Sequence, residues 1–456
     1  MKLFSGQERV ETITSVEPSA RRHRLIKIRE ELDEKLSRYN PGELLSWWIA
    51  EDAFELPDKT IEELRLGGRA LAAFFSVANE LFFTHEWLRR RLEKKFTPAY
   101  ALLNRVQPEA LPLLIRPDVV LDRGWHPRLV ELEISVGSRA DTAIMAEQYG
   151  LDPDRGLIRA YADVIRMCWP GQTMALVTAS HPFFLDLPDD AAAFASLLRR
   201  EGLKVVVLTD RNLPHLRFQD RQLLLHRRDG APIPLRIIDR FIDIYEIAEL
   251  QHPGLAALLD AYLAGAVTDL NTCKQFLDEK DWMALFWEPE LRNIWHDKLG
   301  AEYDGILRTM IPKTWLIKPE ARVELPSGRS FPLLSLGDLA PEERPFIIKE
   351  SGTSTTASGA QSLKVLSDLS GREVHDLIRG LIDKGIPYVV QETIDSPRIS
   401  FTALDPDDDR MITQHGARVK LSVFYVDGRM TDIRLVASNV KLAVNDQDYV
   451  VGVVRY

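Results

Sequence analysis

The chain has 456 residues, 45% of them hydrophobic and 28% charged, so it can bury a large core and is not an intrinsically disordered protein. It carries 58 Lys and Arg against 68 Asp and Glu, and the net charge of −10 excludes a general nucleic-acid binder, whose affinity depends on concentrated positive charge. Two cysteines cannot form a disulfide framework, and the sequence has neither an apolar signal segment nor an apolar stretch of membrane-spanning length. We therefore expect a soluble cytoplasmic protein.

The first region, residues 1–110, is predicted to be helical. Apolar side chains recur there at spacings of three and four, which is the period of one helix face. These residues are Leu25, Ile28, Leu32 and Leu36. A second helix is predicted from about residue 61 to 95. It ends in a basic cluster at residues 89–95, which we interpret as a solvated helix face rather than a nucleic-acid patch.

The next region, residues 111–170, begins with a predicted β-hairpin. Strands at residues 118–121 and 129–134 flank a turn that contains Gly124 and Pro127. A strand period of two places Glu131, Glu133 and Ser135 on one face, with Asp118 opposite Glu131 or Glu133.

Several carboxylates on one face of a hairpin repel each other unless a cation lies among them. Mg²⁺ bound by two carboxylates and by nucleotide phosphates would remove this repulsion. The alternative is the solvated polar face of an edge hairpin.

A strand–helix–strand unit is predicted in the third region, residues 171–254. Residues 174–178 and 204–208 have strand patterns, and residues 189–201 between them have a helix pattern. This order is typical of a parallel sheet. Residues 255–300 are again predicted to be helical, at the start of a fourth region that runs from residue 255 to 456.

The fourth region contains a lysine beside a loop of small residues. A strand at residues 346–349 ends at Lys349, and the loop at residues 351–360 follows. Lysine supplies a point charge, and backbone N–H groups and hydroxyls can wrap phosphate oxygens. The loop is not a Walker loop, because no Gly-Lys-Ser/Thr sequence follows. A solvated flexible loop is the alternative.

The elements after this loop are predicted from local patterns. A short strand is expected at residues 362–366, and Ser370 and Glu373 have the spacing of a capping box that starts a helix to about residue 384. A strand at residues 388–392 ends in Gln391 and Glu392. Its backbone groups could contact an adenine edge, and the Glu392 carboxylate could contact a ribose or an amine. The alternative is an ordinary strand end. Asp427-Gly428 predicts a further hairpin.

Three of these stretches together resemble the circularly permuted ATP-grasp ligases, which include eukaryotic-type glutathione synthetases and glutathionylspermidine synthases. Arg116-Pro117-Asp118 resembles the Arg-x-Asp strand of that family, and Glu133-Ile134-Ser135 resembles its Glu-x-Asn metal-binding strand. Lys280, in Asp-Glu-Lys-Asp-Trp, and Lys349 resemble its two nucleotide lysines, although the residues around Lys280 favour a surface lysine on a helix.

The resemblance implies an α/β protein with α+β lobes, namely a circularly permuted ATP-grasp fold with a parallel-sheet substrate domain and an N-terminal helical region. It implies an ATP- and Mg²⁺-dependent ligase that joins a carboxylate to an amine, or to a thiol, through an acyl phosphate. Its substrate would be a small peptide, an amino acid or a polyamine. The expected ligands of the metal are Asp118, Glu133 and Ser135. The expected catalytic residues are Arg116, which would orient the carboxylate, and Arg434, which would stabilise the transferring phosphate.

The strand at residues 389–392 resembles the hinge of that family, an apolar strand that ends in an acid. The nucleotide would be held by the two lysines, the small-residue loop, this strand and one late basic residue, either Arg418 or Lys420. The expected nucleotide-binding residues are Lys280, Lys349, Glu350, Ser351, Gly352, Thr353, Ser354, Gly359, Gln391, Glu392 and Arg418. Two departures from the family pattern are Ser135 in place of Asn and the absence of the Arg-Glu-Gly run after the second lysine. They motivate the alternative of a nucleotide-binding module without ligase activity. Neither a nucleic-acid nor a membrane partner is expected, and a homodimer is left open.

Overall fold

The computed structural model describes residues 13–16, 20–36, 47–134, 137–178, 187–228, 230–241, 253–352, 362–385, 387–405, 407–439 and 449–456. Within these residues the α-helices are α1 Ala20–Leu36, α2 Asp58–Thr84, α3 Glu86–Leu92, α4 Pro98–Leu103, α5 Arg139–Gln148, α6 Leu157–Cys168, α7 Leu187–Arg200, α8 Pro253–Leu263, α9 Asp281–Trp287, α10 Arg292–Met310 and α11 Gly371–Lys384. Short 3₁₀ helices cover Glu93–Lys95, Leu213–His215, Gln275–Asp278, Pro289–Leu291, Leu333–Asp338, Pro341–Glu343 and Leu366–Asp368.

The strands of the first half are β1 Ile13–Val16, β2 Trp48–Ala50, β3 Phe54–Glu55, β4 Leu114–Ile115, β5 Asp118–Leu121, β6 Pro127–Glu131, β7 Thr173–Val177, β8 Lys204–Leu208, β9 Leu216–Gln219, β10 Gln222–Leu225, β11 Ile233–Leu235 and β12 Ile237–Arg240. Those of the second half are β13 Thr268–Asp269, β14 Thr314–Leu316, β15 Arg322–Glu324, β16 Ser330–Pro332, β17 Phe346–Glu350, β18 Lys364–Val365, β19 Tyr388–Glu392, β20 Ile399–Leu404, β21 Met411–Val426, β22 Arg429–Ser438 and β23 Val450–Arg455.

A ten-stranded sheet forms the centre of the molecule, with the order β20-β2-β23-β22-β21-β5-β6; β1 and β4 also pair with β21, and β3 pairs with β23. The predicted hairpin β5–β6 is confirmed, with Asp118 opposite Glu131. Its second strand is shorter than expected and ends at Glu131, although the Arg116 amide still donates to the Glu133 carbonyl oxygen at 2.9 Å. The β21–β22 hairpin around Asp427-Gly428 is also confirmed.

The N-terminal region, predicted to be helical, contains four α-helices and also three short strands among its described residues. β2 and β3 both pair in parallel with β23, so early and late segments of the chain share one sheet. The predicted long second helix is also interrupted, because the backbone of His85 is extended (φ −114°, ψ 100°) between α2 and α3. Residues 255–300 contain helices but also β13, so they are not helical throughout.

The predicted strand–helix–strand unit is confirmed as β7–α7–β8, and it belongs to a parallel four-stranded sheet of order β13-β12-β7-β8. A second four-stranded sheet, of order β14-β19-β17-β18, is antiparallel and carries Lys349 and Gln391. The predicted capping box is present at the start of α11, where Ser370 and Glu373 bond reciprocally.

Apolar clusters hold these layers together. One packs α2, α9 and α10 against one face of the ten-stranded sheet. Another lies between the opposite face and the parallel sheet, with α1, α5, α6 and α7. The far side of the parallel sheet packs against α8, and α11 covers the antiparallel four-stranded sheet. No helix among the described residues combines the length and apolarity needed to cross a bilayer.

Candidate functional site

A row of polar side chains crosses four strands of the ten-stranded sheet. Arg434 on β22 lies opposite Ser422 on β21, Ser422 lies opposite Asp118 on β5, and Asp118 lies opposite Glu131 on β6. Directly opposed residues of antiparallel strands point to the same face. The neighbouring residues Val119, Leu421 and Leu435 belong to the apolar cluster on the other face. Strand alternation therefore gives this part of the sheet one apolar and one polar face.

Asp118 is held by two donors on β21. Its Oδ2 lies 2.7 Å from Nζ of Lys420, and its Oδ1 accepts from the Ser422 hydroxyl at 2.7 Å. Burial alone would raise the pKa of this carboxyl, but Lys420, Arg116 and the Ser422 hydroxyl outweigh it and hold the pKa below its ordinary value. Asp118 is therefore a carboxylate in this site.

Glu133 forms an ion pair with Arg116, which also donates to the Gly137 carbonyl oxygen at 2.7 Å. Burial raises the pKa of Glu133 to about 7, because the opposing effect of Arg116 is offset by the negative charges of Asp118 and Glu131. Three carboxylates are thus close enough to interact, as the hairpin pattern predicts.

Two predicted lysines reach the same strand, β6. Nζ of Lys280 lies 2.6 Å from Oε1 of Glu131, and Lys280 is buried at the start of α9 rather than being the surface lysine that its neighbours in sequence suggest. Burial opposes the charge of Lys280, but Glu131 and other nearby acids outweigh it and raise its pKa. Nζ of Lys349 donates to the Val130 carbonyl oxygen at 3.0 Å and to Oε1 of Gln391 at 2.9 Å.

Ser351 links the strand of Lys349 to the segment of Lys280. Its hydroxyl donates to Oε2 of Glu279 at 2.8 Å and accepts from the Asp281 amide at 2.9 Å, and the residue is fully buried. The carboxylate of Asp281 in turn binds Nε of Arg91 at 2.6 Å. Ser351 therefore ties two chain segments together, and Arg91 is an anchor rather than part of a solvated face.

Two further predicted residues, Glu350 on β17 and Glu392 on β19, contact other side chains of the protein. Oε2 of Glu350 accepts from the Tyr388 hydroxyl at 3.1 Å, and Glu350 alternates with Lys349 along β17, so their side chains leave opposite faces. Oε1 of Glu392 accepts from Arg128 at 2.9 Å and from the Lys313 amide at 3.0 Å. The Glu392 carboxylate therefore joins β19 to the β5–β6 hairpin.

Arg434 connects the polar row to α5. It donates to the Ser138 hydroxyl at 2.8 Å and lies 3.3 Å from Oδ2 of Asp141. Asp190 of α7 accepts from the amides of Ala140 and Arg139 at 2.7 and 3.2 Å. The start of α5 is thus bound by a carboxylate from the parallel-sheet layer.

The two candidates for the late basic residue, Arg418 and Lys420, differ in the charged groups around them. Lys420 pairs with Asp118, whereas the charged groups that act on the pKa of Arg418 are Arg398 and Asp395. Burial and Arg398 lower the pKa of Arg418. Gly352 is described and has φ 118°, a value that favours glycine. The predicted residues Ser135, Thr353, Ser354 and Gly359 lie outside the described residues.

The side chains fit an anionic ligand better than a metal ion held by protein alone. In the described part of the chain, no three His, Cys, Asp or Glu side chains converge as ligands of one ion. A magnesium ion would therefore need phosphate oxygens beside Asp118 and Glu133, which is the usual pattern for Mg²⁺. Arg116 and Arg434 each keep a buried Nε without a hydrogen-bond partner among the described residues, and an incoming carboxylate or phosphate could accept from it.

Sequence reasoning missed the contacts that hold the two lysines. The sequence identifies Glu131 as an acid on one face of a strand, and it identifies Gln391 as a nucleotide contact or an ordinary strand end. No signal in the sequence pairs them with Lys280 and Lys349, because the partners are far apart in the chain. Arg91 belongs to the basic cluster at residues 89–95, between the apolar residues Leu88 and Leu92. This local pattern does not predict its ion pair with Asp281, which is distant in the sequence.

No protein-family model matches the sequence, and no curated protein matches it. The structure resembles that of a glutathione synthetase-like effector from Globodera pallida, solved in its apo form, with a TM-score of 0.57 and 12% identity over 95% of this chain and 98% of that one. A second match, from Methylobacillus flagellatus KT and assigned as a gamma-glutamylcysteine synthetase, has a TM-score of 0.39 and 12% identity over 83% of this chain and 86% of that one, and it carries no argument. The protein thus has the mixed α/β fold of a glutathione synthetase-like effector.

Proposed function

We propose that the protein is an ATP- and Mg²⁺-dependent carboxylate–amine ligase with a circularly permuted ATP-grasp fold. The observation that carries the proposal is the gathering of Lys280, Lys349 and Lys420 from three separate elements around the carboxylates of one hairpin. Phosphoryl transfer needs charge neutralisation and positioning more than it needs a nucleophilic side chain. A buried group of lysines beside carboxylates meets that need.

The roles follow from the positions. Lys280 and Lys349, both buried against β6, would hold the α- and β-phosphates of ATP. Asp118 and Glu133 would hold the Mg²⁺, with Ser135 as the third expected ligand. When bound, the metal would neutralise phosphate charge. Of the two candidates for the late basic residue near the phosphates, Lys420 is supported by its ion pair with Asp118.

The substrate would be a small molecule with a carboxylate, and its acceptor an amine. Arg116 and Arg434 would orient the carboxylate and the transferring phosphate, since each has a buried donor to spare. In the proposed reaction the γ-phosphate passes to the substrate carboxylate with release of ADP. The amine then attacks the acyl carbon, and inorganic phosphate leaves as the amide bond forms.

A second candidate function is a nucleotide-binding module without ligase activity. It is favoured by the ion pairs Asp118–Lys420 and Glu133–Arg116, which already neutralise the two expected metal ligands. A metal would have to replace or share these contacts. The similar structure from Globodera pallida is itself named as an effector that is glutathione synthetase-like.

The two functions are separated by incubating the protein with ATP, Mg²⁺ and pools of amino acids, peptides and polyamines, and by measuring ADP and phosphate. The ligase should release both in a manner that depends on one carboxylate and one amine. Lys349→Ala should then lose roughly 2–4 kcal/mol of transition-state stabilisation, the scale for one preorganised electrostatic contact. Lys364→Ala, at an exposed position on β18, is the matched control. ATP binding without turnover in every pool would favour the module, and equal ADP release by Lys349→Ala would contradict the site.

A further inference from the structure

We propose that Gln391 is a positioning residue that fixes the direction of the Lys349 ammonium group toward the nucleotide phosphates. The inference deepens the proposed function, on which it rests, and it changes the expected role of Gln391 from a contact with the nucleotide to a contact with the lysine. The carrying observation is the chain of hydrogen bonds from Lys349 through Gln391 to Thr314.

The orientation of the Gln391 amide follows from its hydrogen bonds to Lys349 and Thr314, and the longer contact of Nε2 with Sδ of Met283 at 3.7 Å agrees with it. The Thr314 hydroxyl donates its proton to the Pro312 carbonyl oxygen at 2.8 Å, so its oxygen must act as the acceptor for Nε2 of Gln391 at 3.1 Å. This places Oε1 on the side of Lys349, whose ammonium group has donors but no acceptor. Lys349 and Thr314 thus require the same amide orientation, with Oε1 toward Lys349 and Nε2 toward Thr314.

Burial makes the arrangement rigid. Gln391 and Thr314 are both 0% exposed, so water cannot replace either partner. Gln391 lies on β19 and Thr314 on β14 in directly opposite positions, so the strand pairing itself fixes the amide. The amide is therefore held before any ligand arrives.

An ammonium group has three N–H donors, and two of them are used by the protein. One goes to the Val130 carbonyl oxygen and one to Oε1 of Gln391. The third has no acceptor among the described residues. Because two fixed acceptors determine the direction of the third bond, Val130 and Gln391 together aim Lys349 at a ligand oxygen.

The charged groups that face Lys349 come from four other elements. They are Glu131 on β6, Lys280 before α9, Asp118 on β5 and Lys420 on β21. Burial, together with the two other lysines, lowers the pKa of Lys349 to about 8. An acceptor at Oε1 of Gln391 favours the charged form, so its removal should lower the pKa of Lys349 further.

The test replaces Gln391 by Met, which is similar in volume but offers no oxygen, and by Glu, which keeps the acceptor. The titration of Lys349 is followed through the ¹³Cε signal of labelled lysine, assigned with Lys349→Ala. In Gln391→Met we expect the midpoint to fall by about one pH unit, the scale of a hydrogen bond to a charged group. In Gln391→Glu the midpoint should rise. An unchanged midpoint in Gln391→Met would overturn the proposal.

A double-mutant cycle on ATP binding in the presence of Mg²⁺ tests whether Gln391 acts through Lys349. Gln391→Met should weaken binding about tenfold in the wild-type background and leave it unchanged in the Lys349→Ala background. Equal weakening in both backgrounds would overturn the positioning role. If the wild type binds no ATP, the proposed function fails, while the ¹³Cε titration still decides the Gln391 contact.

Thr314→Val covers the case in which Gln391→Met does not fold. It removes the hydroxyl acceptor of Nε2 and leaves the weaker acceptor Sδ of Met283 at 3.7 Å. The Gln391 amide stays, so the Lys349 midpoint should move in the same direction by a smaller amount. An unchanged midpoint in Thr314→Val contradicts the hydrogen-bond chain.

Discussion

The charges of the site are neutralised in pairs, because each of the three interacting carboxylates at the β5–β6 hairpin forms an ion pair with a cationic side chain from another part of the sequence. Asp118 meets Lys420, Glu131 meets Lys280, and Glu133 meets Arg116. A buried charge without a partner is costly, whereas a paired and hydrogen-bonded one is tolerated. The polar row can therefore lie within the layers of the fold. A ligand that separates these ion pairs must supply a positive charge for the carboxylates and a negative charge for the cations. Magnesium bound to a polyphosphate supplies both.

Glu133→Gln tests this replacement at a single residue. If Glu133 is a metal ligand, loss of its charge should abolish turnover at a Mg²⁺ concentration that saturates the wild type, and a roughly 10–100-fold higher concentration should restore part of it. Loss of the Arg116 ion pair alone would not be rescued by Mg²⁺. The measurement is ADP release against Mg²⁺ concentration, with the exposed Glu342→Gln as control. If Glu133→Gln turns over like the wild type, Glu133 is not a metal ligand and the polar face of the hairpin has a structural role.

Residue types were more predictable than residue partners. Lys349 and Asp118 could be found from the sequence, because a lysine at a strand end and an acid in a hairpin are local patterns. Their partners Gln391 and Lys420 could not, because a side-chain contact between distant strands leaves no local trace. Ser351 illustrates the difference: its place in a small-residue loop predicts a phosphate contact, but its hydroxyl binds Glu279 and the Asp281 amide.

At the scale of elements, α2 lies unusually close to the β21–β22 hairpin. A Cβ added to Gly68 would lie 2.3 Å from Cδ1 of Tyr425 and 2.6 Å from the Gly428 carbonyl oxygen. The Tyr425 hydroxyl donates to the Leu64 carbonyl oxygen at 2.8 Å, so the ring cannot move away without breaking that bond. The turn itself has positive φ at Asp427 (49°) and Gly428 (71°), as a two-residue hairpin requires.

Gly68→Ala should therefore lower the free energy of unfolding by about 1–3 kcal/mol, the cost of forcing an extra methyl group into a packed contact. Gly380→Ala on α11 is the matched control, because a Cβ there meets nothing within 4 Å. Alanine in a helix interior should stabilise that variant by up to about 1 kcal/mol. Urea unfolding of the three proteins measures both effects. Equal stability of Gly68→Ala and the wild type would mean that α2 can shift away from the hairpin.

Elements that depend on local signals were predicted, and elements that depend on distant pairing were not. The capping box of α11 and the Asp427-Gly428 turn each depend on residues no more than three positions apart in the sequence. β2 and β3 have three and two residues, too few to show a period, and they become strands through pairing with β23. The break at His85 is likewise unmarked by proline or glycine.

At the scale of the whole molecule, the site is assembled from segments spread along most of the chain. β5 and β6, the start of α9, β17, β19 and the β21–β22 hairpin each contribute side chains. α5 and α7 then join the ten-stranded sheet to the parallel sheet, and Asp190 on α7 binds the first amides of α5. One buried carboxyl thus contributes hydrogen bonds to the joint between the two sheets, beside the apolar cluster that fills it.

The stability of this joint should depend on pH. Burial and the nearby Asp141 raise the pKa of Asp190 from 3.8 to about 7, against the opposing effect of the α5 amides and Arg139. The folded protein therefore holds a proton that the unfolded chain releases at lower pH. The resulting stabilisation is fully present below about pH 4 and is lost as the pH rises through about 7, with a slope of at most about 1.4 kcal/mol per pH unit.

Asp190→Asn removes this titration. We therefore compare the free energy of unfolding of the wild type with that of the variant. The difference, wild type minus variant, should decrease between pH 4 and 7 and stay constant above pH 7. Urea unfolding at several pH values measures the difference. Taking the difference cancels the titration of other buried acids, such as Asp432, whose pKa is raised to about 6 by burial. A constant difference across this pH range would mean that Asp190 stays ionised in the folded protein, held by the α5 amides more strongly than burial disfavours its charge.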